Sequence, residues 1–189
     1  MESETDRRAA IRERAVAAAW GFAEATLFFV VPDVRLTRLA LDGAGRALIA
    51  ACWATAAAVA GGALMWWWGA ADAAAAERAL DVLPAIAPAM IEDVRTALAG
   101  HGLAAVAAGG FAGTPYKVYA VEAGARGVAL PAFLLASAGA RLARFGAAVL
   151  VAAGLARWAL SGWSPRRRHL AHAVSWAIFY ALYWSLVAW

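Results

Sequence analysis

Apolar runs of unequal length, punctuated by prolines and isolated charges, divide this chain. Residues 1–14 mix acids with Arg7, Arg8, Arg12 and Arg14 and read as an interfacial segment on the cytoplasmic side. Residues 15–31 are apolar except for Glu24 and stop at Val31, Pro32 and Asp33. A run of that length barely crosses a hydrocarbon core about 30 Å thick. Proline removes a backbone donor and disfavours helix just before it, so the expected element is re-entrant, spans 15–41 and turns at Pro32. Residues 44–71 carry one arginine near their start and then no charge, which predicts a full transmembrane helix. Residues 72–100 become acidic and hold Pro84 and Pro88, predicting an extracytoplasmic connector of short surface helices. A glycine-rich apolar run then meets Thr114, Pro115, Tyr116 and Lys117, predicting a second re-entrant element over 101–126 with its break at Pro115 and Tyr116. Residues 129–160 form a second long span, and 170–189 a third, free of Asp, Glu, Lys and Arg.

The two halves of 15–160 share an order: an apolar segment, a proline with a nearby charge, a short return, a glycine turn and a full span. One crossing separates them, so the second unit is inverted relative to the first. The expected fold is therefore an all-α integral membrane protein, an inverted repeat of a re-entrant helical hairpin plus a transmembrane helix, with an extra C-terminal transmembrane helix. Broken helices meeting near the midplane are how secondary transporters build substrate sites. Gly61, Gly62 and Gly139 are expected to let helices approach closely.

This layout puts Glu24, Asp33, Lys117, Arg141 and Arg144 at membrane depth. An isolated charge there costs at least about 2.5 to 3.5 kcal/mol, so these residues should face one another or a wet cavity. Arg141 and Arg144, three residues apart, share a helix face. A carboxylate in such a cavity can take up a proton, which suits Glu24 and Asp33. Lys117, Arg141 and Arg144 suit a phosphate, arginine bidentately.

Composition agrees with a membrane domain: 64% of the 189 residues are hydrophobic and only 16% charged, with a mean hydropathy of +0.63. Trp66, Trp67, Trp68, Trp158 and Trp189 lie near the ends of apolar runs, as interfacial belts do. The net charge of +4 comes from arginines flanking apolar runs, not from a basic stripe, so nucleic acid is not an expected partner. Cys52 lies within an apolar run and has no cysteine to pair with in this sequence. No cleavable signal peptide is expected. His169 and His172 lack companions at ligand spacing, so no metal or other cofactor is expected. No nucleophile elbow, phosphate-cradling glycine loop or zinc-binding helix motif is present, and the chain is not read as an enzyme.

Several short stretches resemble the DedA family, the VTT or SNARE-associated Golgi domain group, and its YqaA-type branch. They are Gly21, Phe22, Ala23, Glu24 and Ala25 with Pro32, Asp33 and Val34; Gly61 and Gly62; Gly110 and Phe111 with Thr114, Pro115, Tyr116, Lys117 and Val118; and Ala136, Ser137, Gly139, Arg141, Arg144 and Phe145. The similarity covers roughly residues 15–158. It implies opposed re-entrant hairpins in a bacterial inner-membrane protein that moves undecaprenyl phosphate or phospholipids between leaflets, with proton or sodium coupling. Carried over, Glu24 and Asp33 match the family's essential acids, and Lys117 stands where many members have arginine. Phe111 stands where many have another, so Arg141 and Arg144 are expected to supply the missing charge.

The expected function is thus a lipid transporter or scramblase, with membrane lipids as partners and a homodimer as an open option. The rival expectation is an assembly or scaffold protein whose intramembrane charges pair with another protein.

Overall fold

The computed structural model describes residues 4–186, with the side chain of Thr5 excepted. The described residues are all-helical, 83% in nine helices and none in strands. In order these are α1 Glu4–Thr26, α2 Asp33–Ala40, α3 Ala44–Ala71, α4 Ala73–Asp81, α5 Pro88–His101, α6 Ala104–Ala112, α7 Tyr116–Ala125, α8 Leu130–Trp158 and α9 Pro165–Leu186. Residues 1–3 of the expected interfacial segment, and Trp189 with the end of the expected C-terminal span, lie outside the described residues.

The charged N-terminal segment runs without interruption into the first apolar run as α1, because alanine, glutamate and arginine are all good helix formers. Glu4 clamps Arg7 and Arg8 at 2.9 Å each on its exposed start. The helix stops earlier than Pro32 alone would require. Thr26 donates back to the carbonyls of Phe22 and Ala23, both at 3.0 Å, and Phe28 N reaches Ala23 O at 2.8 Å, closing a wide terminal turn. The first break is therefore a six-residue stretch, 27–32, rather than a kink at Pro32. Pro32 precedes the first residue of α2, where its fixed φ and missing N–H cost nothing.

α3 is the element the others gather on. Its small residues Ala50, Ala51, Ala54, Ala58 and Gly61 are buried, and Ala17, Gly21 and Ala25 of α1 meet them at four-residue spacing. The backbones come so close that a Cβ on Gly21 would lie 2.2 Å from Ala54 O. Gly61 contacts Ala25 and the Phe22 carbonyl, and Gly62 sits under the Tyr116 ring. Gly139, expected to act in the same way, does not: an added Cβ there would meet nothing within 4 Å. The buried stripe of α8 passes it by, running through Phe133, Ser137, Arg141, Phe145, Val149, Ala152 and Ala156 at mostly four-residue intervals.

α7 is enclosed on every side, with Tyr116 to Gly124 all buried. The acidic connector is helical and is tied to α7 by Arg95, which reaches Glu77 at 3.0 Å, Glu92 at 2.8 Å and the buried Glu122 at 3.1 Å. The Glu122 hydrogen bond, and then its charge, hold Arg95 more firmly protonated than an ordinary arginine. Asp72 caps α4 by accepting from Ala75 N at 2.9 Å.

Two helices, α3 and α8, are long and apolar enough to cross a membrane. The third expected span does not reach that apolarity over its described length, since α9 begins with Arg166, Arg167, Arg168 and His169 and carries His172, Tyr180 and Tyr183 further on. No residue of α9 is buried.

Candidate functional site

The first break leaves backbone groups without helical partners, and side chains from three separate helices take them up. Trp20 of α1 donates its indole N–H to Val30 O at 2.8 Å. Lys117 of α7 donates Nζ to Phe28 O at 2.6 Å. Val31 N donates to the Tyr180 hydroxyl of α9 at 3.0 Å. Irregular backbone that is partly shielded from water needs such partners for its polar groups. The second break is made by Gly113, which ends α6 at φ 87° in the left-handed region that glycine alone adopts freely, followed by Pro115 ahead of α7. Tyr116 thus opens α7 rather than belonging to the turn, and its ring stacks on Phe133 at 5.8 Å.

Because α1 ends before the break and α2 begins just after it, Glu24 and Asp33 are delivered to successive turns of α8. Arg141 Nη2 lies 2.7 Å from Glu24 Oε2, and Arg144 Nη2 donates to Asp33 Oδ2 at 2.9 Å. The two pairs differ in burial. Glu24 and Arg141 side chains are 6% and 5% exposed, whereas Arg144 keeps 24% of its surface open. The Arg141 guanidinium also stands 4.1 Å from the centre of the Tyr116 ring, a cation–π contact inside the core. Of the three bases, Lys117 is the one whose ammonium meets a carbonyl, with no carboxylate partner among the described residues.

These groups surround a cavity of about 210 Å3 to which both breaks contribute: Glu24, Asp33, Pro115, Lys117 and Arg144 all border it. Arg141 stands behind, against a void of about 20 Å3 shared with Tyr119 and Arg144, room enough for a single water. Three bases face two acids here, so the site holds one positive charge in excess, and its free space adjoins Lys117 and Arg144.

Two parts of the wall are absent from the sequence reading. Trp176, Phe179, Tyr180 and Tyr183 of α9 close one side, and residues 83–86 between α4 and α5 close another. The spacing 176, 180, 183 places three aromatic rings on one helix face, a signal the sequence does carry. Pro84 marks the connector loop as a break in the sequence, but nothing there places it against the cavity; its Ala85 holds φ 67°. The Asp33 carboxylate meets Arg144, and α2 has no side-chain cap. Among the described residues no three His, Cys, Asp or Glu side chains gather as metal ligands. His172 pairs with Thr37 at 2.8 Å and His169 with Asp42 at 3.0 Å. Compared with protein-family models, with curated proteins and with solved structures, the chain shows no match.

Proposed function

We propose that this chain is a DedA-type membrane protein of the bacterial inner membrane that moves a phosphate-bearing lipid between leaflets, its N-terminus cytoplasmic. In this reading α3 and α8 cross the bilayer, α1 with α2 and α6 with α7 form opposed half-crossings, and α9 is a peripheral membrane helix against the first break. The observation that carries it is a cavity at the meeting point of two broken helical segments, bordered by two acids, Glu24 and Asp33, and two bases, Lys117 and Arg144, with Arg141 behind. Large apolar side chains left exposed along both long helices, such as Trp53, Leu64 and Trp67 on α3 and Leu135, Leu142 and Leu150 on α8, suit hydrocarbon and would be a liability in water.

The electrostatics suggest how a lipid phosphate would be handled. Arg141 is committed to Glu24 in a closed environment, which makes that pair a fixed brace. Arg144 and Lys117 keep space beside them, so a phosphate entering the cavity would compete with Asp33 for the first and with Phe28 O for the second. Taking Lys117 from that carbonyl would loosen the first break, coupling occupancy to opening of the hairpin. An Asp33 released from Arg144 would be free to bind a proton. The rival scaffold reading rests on intramembrane charges in need of an outside partner, and the pairing of Glu24 and Asp33 within the chain weighs against it for the two acids.

The test is lipid movement in proteoliposomes holding fluorescent phospholipid or polyprenyl phosphate, reduced from one side by dithionite. Wild-type protein should speed transbilayer movement, Lys117→Ala should abolish most of it and Lys117→Arg should retain it. Unchanged movement in the Asp33→Asn/Lys117→Ala double variant would sink the proposal.

A further inference from the structure

Between α8 and α9 the chain leaves an apolar gap of about 550 Å3. α9 does not pack on α8: its attachments run to α2 and to the break before it, through His172 to Thr37, Trp176 Nε1 to Thr37 Oγ1 at 3.3 Å, and Tyr180 to Val31. The gap is walled by Val151 and Leu155 on one side and by Trp176 and Phe179 on the other. Both α8 residues are more than half exposed. At one end stands Arg168, which also borders an adjoining recess beside residues 40–44 together with Arg157. Arg168 donates Nη2 to Ser161 O at 3.0 Å, while its Nε is buried with no partner among the described residues. The carboxylate in that recess, Asp42, is already engaged by His169.

A gap of this size in a protein surrounded by hydrocarbon fills with hydrocarbon, since each unfilled surface forgoes its dispersion contacts. What fills it is selected by the charged end. Arg168 at the end of an apolar slot, with Arg157 on the recess that adjoins it, matches a phosphate joined to an acyl chain, and the neighbouring Arg166 and Arg167 add positive potential of the kind that holds anionic headgroups.

We propose that the α8–α9 groove is a binding site for an anionic phospholipid, with an acyl chain lying between Leu155 and Trp176 and the phosphate on Arg168 with Arg157 beside it. The site rests on the membrane placement of α8 and α9 but not on transport through the Lys117 cavity. Trp176 and Phe179 border both spaces and form the partition between them.

The experiment is native mass spectrometry of the full chain in a mild detergent, titrated with phosphatidylglycerol or phosphatidylcholine of identical chains. One phosphatidylglycerol should be retained in the groove, about tenfold more firmly than phosphatidylcholine, whose phosphate is the same but whose choline cation is repelled by the arginines. Arg168→Ala should bring retention down to the phosphatidylcholine level. Leu155→Trp, which fills the slot and keeps every charge, should abolish retention of both lipids. Arg78→Ala, an exposed arginine of α4 that lines neither the groove nor the cavity, should retain lipid as the wild type does, and excess inorganic phosphate should not displace it. Thermal midpoints of the variants in lipid-free detergent verify that each is folded. Equal retention of the two lipids by the wild type, undiminished retention by Leu155→Trp, or equal loss in Arg78→Ala and Arg168→Ala would each overturn the site. Failure of the liposome assay with groove binding intact would remove the transport reading and leave this one standing.

Discussion

Arg141 of α8 and Glu24 of α1 form a 2.7 Å ion pair with almost no exposure to solvent, and the guanidinium lies over the face of Tyr116 from α7. One contact thereby joins α1 to two helices about a hundred residues further along the chain, and both charges depend on it, since each without the other would be a bare ion in the core.

That dependence predicts an asymmetric mutational response. Glu24→Gln or Arg141→Met alone should destabilise the protein by about 3–5 kcal/mol, because the surviving partner is left buried and uncompensated. The double variant Glu24→Leu/Arg141→Met should recover most of that loss. Reversible unfolding in detergent, followed by tryptophan fluorescence, measures the cycle. Additive losses would show that the two side chains act independently.

The second pair should behave differently. Arg144 keeps about a quarter of its side chain exposed, so after Asp33→Asn it can turn to water, and the stability cost should fall to about 1–3 kcal/mol. Lipid movement should nevertheless fall sharply in this variant, because a free Arg144 would hold phosphate too firmly to release it. Unfolding and liposome assays on the same preparation separate the two effects.

Helix approach gives a steric prediction. Gly21→Ala forces a methyl against the Ala54 carbonyl, which belongs to the backbone and cannot swing aside, so a loss of about 1–3 kcal/mol or more is expected. Gly62→Ala collides with the Tyr116 ring, itself held between Phe133 and Arg141, and should also destabilise. Gly139→Ala meets open space within a helix and should be neutral or stabilising by up to about 1 kcal/mol. Thermal midpoints in one detergent rank the three.

Arg95 predicts a local effect. Its loss in Arg95→Ala strands the buried Glu122 and releases α4 and α5, yet Arg95 is about one third exposed, so the cost after solvent screening should be only about 1–2 kcal/mol. Hydrogen exchange should quicken in α4 and α5 while α3 keeps its protection.

The hydrophobic pattern was enough to place the long helices. Residues 44–71 and 129–160, expected as spans, correspond to α3 and α8 within two residues at each end, because an uninterrupted run of apolar helix formers has few other ways to bury its backbone. Pro32 and Pro115 likewise marked where helices restart, since proline's constraint is local. The length of the first break was not legible: it is set by Thr26 bonding back to Phe22 and Ala23, and by Trp20, Lys117 and Tyr180 arriving to satisfy an open backbone. Gly139 misled for a related reason. A small residue permits close approach, but only the rotation of its helix decides whether a neighbour stands there.

The sequence by itself determined that Glu24, Asp33, Lys117, Arg141 and Arg144 had to find one another or water, because an unpaired charge in apolar surroundings is too costly to keep. Which base takes which acid, and which is left to a carbonyl, only the tertiary structure decided. Pairing depends on the angle and depth at which α1, α2 and α7 meet α8, and those follow from contacts such as Gly21 on Ala54 that involve no charge at all. The aromatic wall of α9 belongs to the same category: its rings are written in the chain, but the cavity they close exists only once two distant breaks are folded against each other.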